Sequence, residues 1–396
     1  MSLANGRRYL AIPGPSVMPD RVLNAMHQAA PNIYEGNLLD VTASLWPDLK
    51  AIAGTQHNAA IYIGNGHAAW EAANTNVFRR DDTAIVLTTG RFGHGWAEHA
   101  RQLGVRVVIT DFGKSAPIDM ARAEQALRAE PNARAVLITH VDTASSAKND
   151  VLALRRLMDD LGHPGLLMVD CIASFACDEF HMDDWGVDVM VAASQKGLMT
   201  PPGLGLVFFS DKARDVSKSA DMRTPYWDWL PRVDANHFYM HFYGTAPTHH
   251  LLGLRAAVSM IMDEGIEAVW NRHARLARAV WSAGEAWGQE GAFALNMKDP
   301  AHRGHSVTAM RLSGQDGTRL RQWCEHEAGV TLGVGLGMAE PDSPEAGAFF
   351  RLAHMGHVNA HMTLGALAVM DTAMKALNIP HGSGALDAAA RSLAGN

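Results

Sequence analysis

Between residues 59 and 210, short apolar runs alternate with segments whose apolar residues recur at helical spacing, and that alternation admits few folds. The runs at 59–63, 84–88, 106–110, 135–139, 165–169, 187–192 and 204–209 are too short for buried helices and too continuously apolar for strands with one wet face. Helical patterns occupy 67–78, 92–103, 120–129 and 150–161 between them. Strand and helix in alternation predict an α/β domain with a seven-stranded, mostly parallel sheet covered on both faces. Residues 251–291 then predict long helices with a break at Glu264-Gly265. Beyond them, strands at 306–312 and 349–353 and helices at 317–327 and 359–377 predict a small α+β C-terminal domain. The Gly/Ala-rich tail after Pro380 reads as loosely held.

Composition narrows the partners. A net charge of −7 gives no footprint for nucleic acid or an anionic membrane, and no apolar run approaches the ~20 residues that span a bilayer. Cys171, Cys177 and Cys324 form neither a disulfide framework nor a zinc site. With no secretory leader in the first residues, a cytoplasmic location is expected. The 20 histidines are scattered, and the pair His249-His250 is adjacent where metal ligands on a helix want i, i+4 spacing, so no metal is expected.

Charged and polar residues punctuate the apolar runs at their ends. Lys196 follows one strand in Ser194-Gln195-Lys196-Gly197, before the tight Pro201-Pro202-Gly203 turn. A strand-end lysine is either a solvated charge or an amine used as a nucleophile. Gln195 puts a neutral amide beside it. Asp170 closes Leu166-Leu167-Met168-Val169, where it caps the next turn or holds the nitrogen of a pyridine ring. Lysine and aspartate together are the minimum pair for pyridoxal phosphate (PLP) chemistry.

Gly64-Asn65-Gly66-His67 ends a strand and opens a helix, which makes an anion site of backbone N–H groups and helix dipole. The string Gly64-x-Gly66-x-x-Ala69 imitates a dinucleotide fingerprint. The second strand, however, ends in Thr88-Thr89-Gly90 and offers no acid for a ribose. Phe92 starts the next helix, where it packs or stacks on a ring. Thr143 sits in the polar loop after the strand at 135–139. Arg351 interrupts the apolar run Phe349-Phe350-Arg351-Leu352-Ala353, as a buried ion pair or as a fork for a substrate carboxylate.

In combination these motifs resemble the class V, fold-type I PLP aminotransferases, in particular the alanine, serine and aspartate–glyoxylate group. The resemblance runs over most of the chain. It takes in Pro13-Gly14-Pro15, Gly64-Asn65-Gly66-His67 with Trp70-Glu71-Ala72-Ala73, Gly90-Arg91-Phe92-Gly93, Val169-Asp170-Cys171-Ile172-Ala173-Ser174, Trp185-Gly186-Val187-Asp188, the Ser-Gln-Lys turn and residues 351–356.

Such a resemblance implies an N-terminal segment (1–20) reaching the active site, a large PLP-binding domain (21–265) and a small C-terminal domain (266–396). Lys196 would carry the cofactor as a Schiff base and act as general base. Asp170 would pair with the pyridine nitrogen, Phe92 and Ile172 would lie on the two ring faces, and Thr143 would bond near the ring oxygen. Asn65, Gly66, His67 and Gln195 would hold the phosphate, with Tyr243 and Thr245 supplied by a second subunit of a homodimer or dimer of dimers. Arg351 would take the substrate carboxylate, with Gly14 and Tyr34 near it.

The expected reaction moves an amino group from L-aspartate, L-serine or L-alanine to glyoxylate, giving glycine and a 2-oxo acid. Arg223 is offered as the cation for a second carboxylate, should the donor be aspartate. Three departures from the family pattern bear on specificity: Phe242 where a tyrosine is usual, Ala144-Ser145-Ser146 for Ser-Thr-Gly, and Ile33-Tyr34-Glu35-Gly36-Asn37 for a His-Arg segment. A lyase of the same fold, such as a cysteine desulfurase using Cys324, is the alternative reading.

Overall fold

The computed structural model describes residues 2–395. Its larger sheet has seven strands in the order Asn58–Gly64, Gly203–Phe209, Val189–Ala193, Leu166–Asp170, Ala135–Thr139, Thr83–Thr88 and Arg106–Asp111. Gly203–Phe209 runs antiparallel to both its neighbours; every other pairing is parallel. The sheet is therefore mostly parallel, as the continuous apolar runs require.

Alternate side chains of each strand feed two separate cores. Ile85, Leu87, Val136, Ile138, Leu167 and Val169 belong to one. Ala84, Val86, Ala135, Leu137, Leu166 and Met168 belong to the other, beneath the helices Gly66–Val77 and Arg91–Gln102. By this parity Asp170 points to the second face, the side on which Trp70 lies.

A second sheet of five strands has the order Tyr9–Ala11, Val330–Val334, Phe349–Ala353, Val307–Arg311 and Ala294–Leu295. The N-terminal strand Tyr9–Ala11 pairs in parallel with Val330–Val334, which fixes the start of the chain and carries residues 13–16 toward Lys196. Three strands are absent from the sequence reading: Tyr9–Ala11 and Ala294–Leu295 are too short to show a period, and Val330–Val334 is too glycine-punctuated. The long helices Thr248–Glu264 and Ile266–Trp287 meet at Gly265, whose φ of +86° only glycine adopts without strain.

One expectation fails outright. The tail after Pro380 is not loose: Ala385–Ala394 is a helix that packs on Ile266–Trp287, with Ala385 and Ala389 fully buried. Small side chains there permit close helix approach.

Candidate active site

Six strands of the larger sheet end on one edge, and open α/β sheets bind ligands beyond the carboxyl ends of their strands. Each strand that carries a candidate residue delivers it there. Asp170 ends its own strand, and Gln195-Lys196 follow Ala193. Thr143 follows Thr139, Phe92 follows Thr88, and Asn65-Gly66 follow Gly64. Together with Gly14, His67, Ile172 and Arg351, these residues line one cavity of about 260 Å³.

Lys196 is 8% exposed, and its amine donates to the Pro13 carbonyl. No carboxylate pairs with it within 4 Å among the described residues. Burial, with the positive charge of Arg351 added, lowers its pKa to about 7. The turn that holds it is fixed from both sides. Ser16 donates to the Lys196 carbonyl at 2.7 Å, and the Ser16 N–H donates to Gln195 at 2.9 Å. Gly197 fits under this turn because a Cβ there would stand 2.1 Å from the Phe175 carbonyl oxygen.

Asp170 is 3% exposed. Its Oδ1 accepts from the Ile172 N–H at 2.7 Å and its Oδ2 from the Trp70 indole N–H at 3.0 Å. Burial raises its pKa to about 7, against the opposing pull of those two donors. Two buried, opposite groups thus titrate around neutrality in one cavity, the pattern of a functional site.

The anion end is built at the helix Gly66–Val77. The Asn65 side chain caps it, accepting from the N–H of His67 at 3.0 Å and of Ala68 at 3.4 Å. A Cβ on Gly66 would strike Ile172 Cδ1 at 2.4 Å, so this corner stays open only with glycine. Burial and the nearby His99 and Arg91 push His67 toward its neutral form. The Gln195 side-chain oxygen is buried with no hydrogen-bond partner among the described residues, an acceptor that a ligand donor would satisfy.

Arg351 is 5% exposed, and no carboxylate pairs with it within 4 Å among the described residues, which removes the ion-pair reading. Its Nε donates to the Val334 carbonyl at 2.7 Å and one terminal nitrogen to the Thr143 carbonyl at 2.9 Å. A buried guanidinium held only by carbonyls is a cation awaiting an anion.

Tyr34, Tyr243 and Thr245 are not in this cavity. All three are exposed, Tyr34 at 85% and Tyr243 at 44%, and Tyr34 lines a separate groove with Phe238, Tyr239 and Gly244. Phe242 is turned inward, 1% exposed, so the tyrosine it replaces has no counterpart on this chain's own cavity wall. Arg223 is also elsewhere. It pairs with Asp228 at 3.6 Å and donates to the Ser217 carbonyl, closing a helix end.

Two contributors escaped the sequence reading. Asp142, 0% exposed, accepts from the N–H groups of Phe92, Ala144 and Ser145 at 2.9–3.0 Å, tying the Phe92 and Thr143 loops together. An aspartate that bonds its own backbone two residues on was the available signal. Trp70 lies one helical turn after Gly66, on the same face, and lines the cavity.

Comparison with known proteins places this architecture. The family model for class V aminotransferases matches residues 47–379. The chain belongs to the class V aminotransferases. It is 33% identical to the serine–glyoxylate aminotransferase of Methylorubrum extorquens over 92% of this chain and 90% of that protein. It is also 33% identical to the L-aspartate–glyoxylate aminotransferase of Paracoccus denitrificans, over 93% and 91%.

Among solved structures, the pyridoxamine–pyruvate aminotransferase of Mesorhizobium loti superposes with a TM-score of 0.89 at 23% identity over 100% of both chains. The ureidoglycine–glyoxylate aminotransferase of Bacillus subtilis gives 0.87 at 22% identity over 99% of both. These neighbours show the fold-type I architecture, and as a class V aminotransferase the protein acts on amino acid and keto acid small molecules. No helix among the described residues is long and apolar enough to cross a membrane.

Proposed function

We propose that this class V aminotransferase works with PLP and moves the amino group of a small L-amino acid, serine, alanine or aspartate, to glyoxylate, leaving glycine and a 2-oxo acid. The observation that carries the reading is the buried Lys196 amine, set in one cavity with Asp170 and the unpaired guanidinium of Arg351. PLP fits the residues present. The capped helix start and His67 suit its phosphate, Phe92 and Ile172 suit its ring, Asp170 suits its pyridine nitrogen, and the orphaned Gln195 oxygen has room for a donor.

When bound, PLP supplies an electron sink conjugated to the substrate α-carbon. The chain's own groups do the rest. Lys196 Nζ, neutral in part at pH 7, takes the α-proton of the donor and redelivers it. Arg351 holds the α-carboxylate through its free nitrogen, which fixes the face presented to Lys196. Residues 13–15 cover the amine and keep water from it.

Names of relatives at 33% identity, serine–glyoxylate and L-aspartate–glyoxylate aminotransferases, support glyoxylate as acceptor. With Arg223 engaged elsewhere, Arg351 has no second arginine beside it on the cavity wall among the described residues, so serine and alanine fit this chain's cavity better than aspartate. A persulfide-carrying lyase loses its thiol: Cys324 is fully buried in the core against the five-stranded sheet, and burial pushes its pKa up to about 12. We further read the exposed Tyr243 and Thr245 as contributions to a neighbouring subunit of a homodimer.

Mixing the yellow holoenzyme with each donor in the absence of acceptor tests the reading. Loss of the visible band with serine or alanine, restored by glyoxylate, is the expected result. A band unmoved by all three donors rules the proposed reaction out.

A further inference from the structure

Trp70 reaches Asp170 across 100 residues of sequence, and its environment explains why it points there. The indole is 1% exposed and sits against four other aromatic rings on its own and the neighbouring helix, Phe92 among them at 6.3 Å. Trp96 stacks at 6.2 Å with an interplanar angle of 10°, His67 meets it edge-on at 4.6 Å and His99 at 5.5 Å. Trp96 is itself fixed by its N–H to Asn74 Oδ1 at 3.0 Å. The ring of Trp70 therefore has little freedom to turn, and its N–H is aimed at Asp170 Oδ2 at 3.0 Å.

Asp170 needs that aim. It lies at the carboxyl edge of the sheet with 3% of its surface exposed, and among the described residues two donors meet it, the Ile172 N–H on Oδ1 and the Trp70 N–H on Oδ2. With one donor on each oxygen, rotation about the last side-chain torsion is blocked and each oxygen keeps a free lone pair. One of those lone pairs is what a pyridinium N–H takes.

We propose that Trp70 is a positioning residue for Asp170: its indole N–H favours the ionised carboxylate and keeps it turned to receive the ring nitrogen of PLP. The proposal rests on the PLP reading above. A phenylalanine at this position keeps the ring packing and removes the donor, leaving a buried carboxylate with one hydrogen bond in place of two. Hydrogen bonds to charged groups are the strong ones, so the loss corresponds to roughly ten- to a hundredfold.

The test is a double-mutant cycle read by PLP affinity in reconstitution of the cofactor-free protein, with W70F, D170N and the double variant. W70F is expected to raise the Kd for PLP at least about tenfold, and in the D170N background the same change is expected to move Kd less than about twofold. An equal loss in both backgrounds makes Trp70 a packing residue and overturns the inference, as does an unchanged Kd in a folded W70F protein. If D170N alone leaves Kd unchanged, the assignment of Asp170 to the ring nitrogen falls, and this inference with it. Should W70F fail to fold, benzothienylalanine at position 70, which replaces the N–H with sulfur in the same outline, carries the same comparison.

Discussion

Substituting Gly14 by alanine probes the contact between the N-terminal segment and Lys196, and its consequence follows from the coordinates. A Cβ at position 14 would stand 2.6 Å from Lys196 Cε, 2.8 Å from Cδ and 2.9 Å from Nζ. Carbon atoms settle at ~3.5 Å or more, so the overlap is about 1 Å. Lys196 is flexible, but its amine is the group whose position matters, and a misplacement of about 1 Å costs on the order of a hundredfold in rate. A second effect is independent of the lysine. Gly14 has a φ of +104°, and an L side chain forced there costs about 1–3 kcal/mol of stability.

The two effects separate with a control. Gly113 has a φ of +84° and nothing within 4 Å of its would-be Cβ, so G113A carries backbone strain with no collision. Both variants are expected to melt earlier than wild type, while only G14A is expected to lose about two orders of magnitude in kcat/KM and to form the lysine-linked cofactor band slowly. A G14A enzyme with turnover equal to that of G113A would falsify the idea that this segment sets the amine's position.

R351K keeps a cation but loses the fork, and the two carbonyls of Val334 and Thr143 can no longer orient it. KM for the amino donor is expected to rise roughly tenfold or more in steady-state assays, and an unchanged KM would place the carboxylate elsewhere. For the cofactor-free protein, Asp170 is raised to about 7, so stability falls as pH climbs from ordinary carboxylate values to 7; Lys196 is lowered to about 7, so stability rises from 7 toward ordinary lysine values. Thermal melts against pH are expected to show a minimum near neutrality, with D170N flattening the acid limb and K196M the alkaline one; unaltered limbs in both variants would exclude these groups. N65A removes the helix cap and is expected to cost about 1 kcal/mol in denaturant titration while weakening PLP binding. If Thr245 serves a neighbouring site, mixed K196A and T245V subunits are expected to regain about a quarter of wild-type activity, since half the dimers are hybrid and each has one intact site. No regain on mixing would confine the site to one chain.

Much of this molecule was written in local pattern. The five inner strands of the larger sheet were legible because strands buried on both faces must be apolar throughout, and strand ends were marked by Lys196, Asp170 and the Gly64-Asn65-Gly66-His67 turn, which are costly residues with few uses at such places. Chemistry was therefore readable before geometry. The family resemblance added roles to positions that spacing alone left open, Phe92 and Ile172 among them.

What the sequence left open depends on contacts between distant residues. Trp70 is one apolar residue of an apolar helix face until Asp170, 100 positions away, is brought against it by strand parity. Arg351 reads as an anion fork or as an ion pair until its surroundings show carbonyls and, among the described residues, no paired carboxylate. The helix Ala385–Ala394 was missed because glycine and alanine content alone marks the tail as loose, whereas its stability comes from the helix it lies on. Periodicity and residue chemistry are properties of neighbours in the chain, so the sequence determined the sheet and the reactive groups. Cavity walls, charge pairing and the aim of a donor arise from side chains that meet only after folding, and those the tertiary structure alone decided.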